Sequence, residues 1–399
     1  MAHRPLAAGW KQPVTPVGGR QGLIVGAVAR IAGPFSLPLA AAAARTVPYC
    51  SPPPAAPRVL RSSLGVLESA IVANRGRLFV TSQTWDGPTR GAVLRLDRPD
   101  AEPVAIAEGI ASPGGLAFDD HGGLIVGYGN SLPGGLVGNV VGRAGLLRIH
   151  PDTTEREVYA TGLSMANGVA RAADGTIFAS DDVGTHIDRV DPHGIVHRRW
   201  AKVPSANGLA IDPTGRYLYA AQTFVPAAIR RVDIANPAHV TTYAQPGPSG
   251  RAACLDGLAI DAAGRLYVAA NGVGQIWRVD TDGTICAIAR GLRFPSAVAL
   301  GRGPDGFSDG NLYVVTFSGD IVAVAAAARA ATETGAVDRI GSDTTDGGTR
   351  TAIAAPEPST SEIRAWARAN GIPISDRGRL KPEVRQAWRT AHAPGSPPR

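Results

Sequence analysis

Residues 256–268 read DGLAIDAAGRLYV: one polar residue, an apolar run, a tight Asp/Gly turn and a second apolar run. The same unit recurs as NGLAIDPTGRYLY at 207–219, NGVARAADGTIF at 167–178, GGLAFDDHGGLIV at 114–126 and ESAIVANRGRLFV at 68–80. In all five copies a glycine stands eight positions after the first residue: Gly264, Gly215, Gly175, Gly122 and Gly76. A sixth copy opens at Ser296, where six extra residues delay the equivalent glycine to Gly310. Many copies are followed by a further strand-like run, as in AVLRLDR (92–98), LLRIHPD (146–152), IDRVDPHG (187–194), IRRVDI (229–234) and IWRVDTDG (276–283). Copies starting at 68, 114, 167, 207, 256 and 296 are spaced for four-stranded blades. No helical period competes between 60 and 326. The expected fold class is mainly β, a six-bladed β-propeller over 58–326, whose radial array leaves only short sheet edges. A flat repeat solenoid is the alternative, and the six-fold count favours closure.

A position shared by every blade recurs around the propeller axis. The first position of the unit reads Glu68, Gly114, Asn167, Asn207, Asp256 and Ser296. If the unit opens on the inner strand, the oxygen-bearing groups of Glu68, Asn167, Asn207 and Asp256 converge on the channel mouth. Asn or Asp before Gly is most often a turn former. Four such groups at one register, among apolar neighbours and including a Glu, favour a site. Hard oxygen donors with two carboxylates suit Ca²⁺, Mg²⁺ or Mn²⁺ better than a thiolate-seeking metal. Asp181 and Asp182, one strand further on, read as ordinary loop acids, and His186 as a polar surface residue.

These residues resemble the SMP-30/gluconolactonase/LRE-like propellers. The likeness is carried by LESAIV (67–72), ANGV (166–169), ANGLAID (206–212), LDGLAIDAAGRLYVA (255–269) and FPSAVAL (294–300). It implies six blades, one divalent cation in the channel (Ca²⁺ first, with Mg²⁺, Mn²⁺ or Zn²⁺ as alternatives) and opening of lactone or other ester rings. It implies Glu68, Asn207 and Asp256 as metal ligands, Asn167 facing the substrate, and Asp256 as general base. Where the family's Glu motif usually continues with Pro and an aromatic, this chain has Ser69-Ala70-Ile71-Val72, and the family's substrate-binding Arg has no clear match.

The charge is unevenly placed. The whole chain carries +7, with six Arg/Lys and no acid in residues 1–60 and a net +5 over 359–399, so the body between them is mildly acidic. Residues 1–57 form a basic, then apolar, then Ala/Pro-rich segment. Ile31–Ala44 can be read as a signal-peptide core after Arg30 or as part of a disordered start. Pro34 and Pro38 break it, and it is too short to span a membrane. An odd count of cysteines, Cys50, Cys254 and Cys286, with no CxxC pair, excludes a disulfide framework and argues against a zinc ribbon.

From about Ala327 the strand pattern stops, and 327–358 reads as a flexible tether. Over 359–392 a helical pattern appears. Ser359, Thr360 and Ser361 offer N-caps, Ile363, Trp366 and Ala367 share a face, and Gly371 is a C-cap. A loop with Arg377-Gly378-Arg379 leads to a second helix opening at Lys381-Pro382, with Val384, Ala387 and Trp388 as its stripe. Residues 393–399 form a tail. Two Arg flanking a Gly can press into the narrow minor groove of A·T tracts. Arg364, Arg368, Lys381, Arg385 and Arg389 would meet phosphates. The stretch EIRAWARANGIPISDRGRLKPEVRQAW (362–388) is similar to the C-terminal DNA-binding domain of the Lsr2 nucleoid proteins of actinobacteria. The resemblance implies an AT-hook-like loop, with Arg377, Gly378 and Arg379 in the minor groove. The N-terminal oligomerisation domain of that family is replaced here by the propeller.

The residues support two functional readings. One is a divalent-metal-dependent lactone or ester hydrolase tethered to AT-rich DNA. The other is a nucleoid-associated regulator whose propeller senses a ligand or binds a partner without turnover. The DNA-binding tail points to the cytoplasm and the nucleoid, and the signal-like start to export.

Overall fold

The apolar–turn–apolar unit is the inner pair of strands of each blade. The computed structural model describes residues 47–51, 55–83, 91–131, 138, 140–224 and 226–324, together with Ile363, Ala367, Arg368, Glu383, Val384 and Gln386. Its strands form six four-stranded antiparallel sheets. From the innermost strand outward, blade 1 is Val66–Val72, Leu78–Gln83, Gly91–Leu96 and Val104–Ile110. Blade 2 is Leu116–Phe118, Leu124–Tyr128, Ala144–Ile149 and Arg156–Leu163, and blade 3 is Val169–Arg171, Ile177–Ala179, Ile187–Val190 and Val196–Ala201. Blade 4 is Ala206–Ile211, Tyr217–Gln222, Ala228–Asp233 and Val240–Ala244, and blade 5 is Leu255–Ile260, Leu266–Ala270, Gln275–Val279 and Ile285–Arg290. Blade 6 takes Pro295–Leu300, Leu312–Thr316 and Ile321–Val324 from the end of the domain and its outer strand, Arg58–Arg61, from the beginning. Each inner strand touches the next, and that of blade 6 touches that of blade 1, so the ring closes and the solenoid alternative falls.

Blade stacking explains the composition of the strands. Six buried apolar clusters lie one at each interface between neighbouring blades, so a blade buries both of its faces. A strand such as Leu266–Ala270 is therefore buried at every position and reads as a continuous apolar run. The turns between the inner two strands need backbone that L-residues avoid. The six glycines of the repeat, Gly76, Gly122, Gly175, Gly215, Gly264 and Gly310, all have positive φ. The extra residues of the sixth copy fold over blade 1: Phe307 is fully buried and its N–H donates to the Gly76 carbonyl at 2.9 Å.

The end of the 1–57 segment packs on the propeller. Val47 is 1% exposed, and Tyr49 forms a parallel bridge with Ala287 on the outer strand of blade 5. Cys50 and Cys286 are joined in a disulfide across 236 residues, with Cα atoms 4.9 Å apart. This pairing overturns the expectation drawn from the cysteine count. An odd count leaves room for one pair, and residues this far apart meet only because the ring closes. Cys254 is free.

Asp338–Arg399 form a second compact unit. In it Ile363 and Ala367, four residues apart, are helical and buried, Val384 is helical and buried, and Arg368, Glu383 and Gln386 are helical and exposed. The rest of that unit, with Trp366 and Trp388, lies outside the described residues, as do the first 46 residues and the expected tether. Among the described residues no helix is long and apolar enough to cross a membrane.

Candidate metal centre

Three of the four site blades present their first-register residue where the inner strand departs from regular pairing, and in blade 3 Asn167 stands two residues before the strand begins. In blades 1, 4, 5 and 6 the ladder between the inner two strands slips at Glu68, Asn207, Asp256 and Ser296. A bulge takes a residue out of the strict in–out alternation and re-aims its side chain. Asn207 and Asp256 therefore serve as inward-facing bulge residues inside strands, which removes the turn-former reading for them. The glycines after them answer a close approach of backbones. A Cβ on Gly208 would lie 2.3 Å from the Leu258 nitrogen, and one on Gly257 would lie 2.6 Å from the Ser296 carbonyl oxygen.

Buried hydroxyls stitch these bulges to the neighbouring blades. Ser180 Oγ donates to the Asn207 carbonyl at 2.6 Å, Thr223 Oγ1 to the Leu255 carbonyl at 2.8 Å, and Ser296 Oγ to the Leu67 carbonyl at 2.6 Å. Thr81 Oγ1 does the same to the Gly114 carbonyl at 3.0 Å. The backbone under each polar side chain is thus held before any ligand arrives.

Glu68, Asn167, Asn207 and Asp256 line one cavity of about 650 Å³ along the channel. Asn167, Asn207 and Asp256 are all buried. Asn130 Nδ2 donates to Glu68 Oε1 at 2.9 Å, and Asn271 Nδ2 donates to Asp256 Oδ2 at 3.2 Å. Asn207 also hydrogen-bonds Asp256. Burial pushes the Glu68 carboxyl up to about 7, with the Asp182 charge adding to the rise and Asn130 opposing it. Burial, then the charges of Glu68 and Asp182, push Asp256 well above the carboxylate range, against the hydrogen bonds of Asn271 and Asn207.

Asp182 is the residue that sequence reasoning missed. It is largely buried, its carboxyl is pushed up by burial, and it accepts a hydrogen bond from Asn167. Its Oδ1 is buried without a hydrogen-bond partner. It also opens onto a second cavity of about 440 Å³ with Ser205, Gln222 and Phe224. The sequence signal was its place at the end of the strand after Asn167, beside Asp181. Asn130 and Asn271 gave no signal, because they arrive from loops outside the repeat.

Among the described residues no three His, Cys, Asp or Glu side chains group as a metal cage. The shared set is instead two carboxylates and an amide, with Asn167 beside them and Asp182 behind. A half-buried Glu68 and a buried Asp256, both raised by burial and by the Asp182 charge, together with the unpartnered oxygen of Asp182, fit a hard divalent cation that would neutralise them. On the DNA side, Arg368 is the one expected contact within the described residues. Arg364, Arg377, Gly378, Arg379, Lys381 and Arg385 lie outside them.

Fold and pocket together define a six-bladed propeller with a buried, oxygen-rich site at the blade axis. Comparison with known proteins places it further. Residues 179–318 match the SMP-30/Gluconolactonase/LRE-like region, and residues 355–391 match the Lsr2 DNA-binding domain. The chain therefore carries a six-bladed propeller with an SMP-30/gluconolactonase/LRE-like region over 179–318 and an Lsr2 DNA-binding domain over 355–391 in one polypeptide. Asn207 and Asp256 fall inside the first match, and Glu68 and Asn167 before it. Among solved structures, a gluconolactonase from Xanthomonas campestris is 17% identical, covering 67% of this chain and 88% of its own, with a TM-score of 0.52. Regucalcin from Agrobacterium tumefaciens, a calcium-binding protein, is 18% identical over 68% of this chain and 94% of its own, with a TM-score of 0.53. A putative gluconolactonase is 18% identical over 70% and 94%, with a TM-score of 0.51. At these identities the likeness is one of fold.

Proposed function

We propose that the propeller is a metal-dependent hydrolase of lactones or related esters, tethered to a domain that binds AT-rich DNA. The observation that carries the enzymatic half is that Glu68, Asn207 and Asp256, from three blades, line one channel cavity shared with Asn167. In this reading Glu68, Asn207 and Asp256 hold one divalent cation, Ca²⁺ first, with Mg²⁺, Mn²⁺ or Zn²⁺ as alternatives. When bound, the cation polarises the ester carbonyl and lowers the pKa of a bound water. Asn167 orients the substrate against that centre. Asn130 and Asn271 fix the carboxylate planes, and Asp256 takes the proton of the attacking water. The calcium-binding neighbour and the gluconolactonase neighbours support the choice of ion and of substrate class.

The DNA half rests on the Lsr2 domain match. Arg377, Gly378 and Arg379 enter the minor groove, while Arg364, Arg368, Lys381 and Arg385 contact phosphates. A protein so built works at the nucleoid, in the cytoplasm.

Two measurements test this. Asp256→Ala is expected to abolish both Ca²⁺ binding, by calorimetry, and lactone hydrolysis; hydrolysis at the parent rate overturns the enzymatic reading. Cation binding by the parent with no turnover of any lactone or ester selects the regulatory reading, which the fused DNA-binding domain favours. Removing residues 359–399 is expected to eliminate salt-sensitive binding to AT-rich duplex, and equal affinity of the full chain for GC-rich duplex overturns the minor-groove reading.

A further inference from the structure

The strap Val47–Cys50 is held to blade 5 by more than its disulfide. The Ala287 N–H donates to the Pro48 carbonyl at 2.7 Å, and the Cys50 N–H donates to the Ala287 carbonyl at 3.0 Å. The Arg290 guanidinium donates to the Val47 carbonyl at 2.7 Å and lies 3.8 Å from the centre of the Tyr49 ring. Val47 is buried in the cluster between blades 4 and 5, and Cys50 in the cluster between blades 5 and 6.

The strap stands just before the point of ring closure. A few residues later the chain becomes Arg58–Arg61, the outer strand of blade 6, whose pairing with Ile321–Val324 closes the ring. That strand has only four residues, its ladder is interrupted by a bulge, and Arg58 and Val59 are exposed. Blade 6 stands between the two carboxylates of the cation pocket, with Asp256 on blade 5 before it and Glu68 on blade 1 after it. The Ser296–Leu67 hydrogen bond crosses the same seam one residue from Glu68. The blade whose outer strand closes the ring therefore stands between two groups that repel each other, and the disulfide ties the chain entering that strand back to blade 5.

We propose that Cys50–Cys286 is a thiol–disulfide exchange site that locks the ring closure and thereby sets the affinity of the Glu68/Asp256 pocket for a divalent cation. The affinity half rests on the cation reading of that pocket. In the exchange, a thiolate of a dithiol reductant attacks one sulfur of the pair and forms a mixed disulfide. The reductant's second thiol then displaces the remaining cysteine. Two electrons and two protons pass to Cys50 and Cys286, which become thiols, and the reductant is left as a disulfide. Both sulfurs belong to buried residues, 5% and 7% exposed, so attack requires the strap to lift, and the exchange rate reports the opening of the closure. A chain that works on DNA meets a compartment where thiols are kept reduced by default, so an oxidant can switch the pair between two states. With the strap released, the outer strand of blade 6 loses its tie to blade 5 and keeps its short ladder, and bringing Glu68 and Asp256 to one cation costs more ordering.

The test uses the full-length protein, oxidised and after treatment with dithiothreitol, together with Cys50→Ser. Alkylation of the denatured protein counts one thiol in the oxidised form, Cys254, and three in the reduced form. Calorimetric titration with CaCl₂ is expected to show binding weaker by about tenfold in both the reduced protein and Cys50→Ser. By the reciprocity of linked equilibria, Ca²⁺ then shifts the thiol/disulfide ratio of dithiothreitol at half-reduction by the same factor. Equal affinity of the oxidised and reduced parent overturns the proposal, whatever the folding of the serine variant. If the oxidised protein binds no Ca²⁺, the cation reading is what fails, and amide exchange of Arg58–Arg61 and Val66–Val72 decides the lock. Faster exchange after reduction supports it, and unchanged exchange overturns it.

Discussion

The two ends of the propeller's inner strands carry the same residue types in opposite circumstances. At the turn end, Asp119 accepts hydrogen bonds from the His121 and Gly123 N–H groups at 2.8 and 2.7 Å and pairs with Arg148 at 2.6 Å. Asp212 accepts from the Thr214 and Tyr217 N–H groups and from the Thr214 hydroxyl. Burial pushes both carboxyls up, yet these partners outweigh it and hold them below the usual carboxylate range. At the bulge end, Glu68 and Asp256 meet stronger desolvation, the Asp182 charge and only amide partners, with the Glu68 charge acting on Asp256 as well, and both rise. The turn acids are paired with backbone N–H groups and an Arg or a hydroxyl, whereas the bulge acids are met, among the described residues, by amide side chains and no cationic side chain. Position on the strand, more than residue type, separates the acids held below the usual carboxylate range from those pushed above it.

That contrast can be broken in three ways. The largest effect is expected at Asp256→Asn, which removes one charge of a mutually repelling pair. Ca²⁺ affinity should fall by about a thousandfold, some 4 kcal/mol, while the cation-free protein melts higher than the parent. Calorimetry and thermal unfolding with a chelator check the two halves, and a lower melting temperature would show that Asp256 is satisfied as it stands.

The second effect is in pH. The folded-state pKa of Glu68, about 7, lies above its ordinary value of 4.5. Its native environment favours the protonated carboxyl. That contribution to stability is fully present below the ordinary value and is lost as pH rises through about 7. Without divalent cations, unfolding free energy should drop by about 2 kcal/mol between pH 5 and 8. Cation affinity should rise over the same interval as protons cease to compete. Denaturant titrations at each pH measure the first, and a stability that climbs with pH would contradict the assignment.

The smallest effect belongs to the turn end. Asp212→Asn keeps a side-chain acceptor but loses the charge, so about 1 kcal/mol of stability is expected to go. Ca²⁺ affinity should stay unchanged. A loss of affinity here would erase the distinction between the two ends.

The repeat made much of this architecture readable. A glycine eight residues into each unit marks a turn, and all six marked glycines adopt positive φ. The polar first position pointed to Glu68, Asn167, Asn207 and Asp256, because repetition turns one position along the chain into one ring in space. Residues outside the repeat stayed hidden. Asn130 and Asn271 come from loops. Asp182 looked like a loop acid because burial is a property of its neighbours. The Cys50–Cys286 pair was invisible to spacing because its partners are 236 residues apart.

Periodicity alone was enough to set the number of blades, the turn glycines and the list of candidate oxygen donors, since each depends on local backbone and on counting. The resemblance of EIRAWARANGIPISDRGRLKPEVRQAW to the Lsr2 DNA-binding domain, rather than periodicity, pointed to the nature of the tail. Tertiary structure decided which acids are desolvated without a cationic partner among the described residues, where the ring is fastened and which cysteines meet. Those outcomes depend on what the far ends of the chain bring alongside, and electrostatic free energy is a function of distance in space.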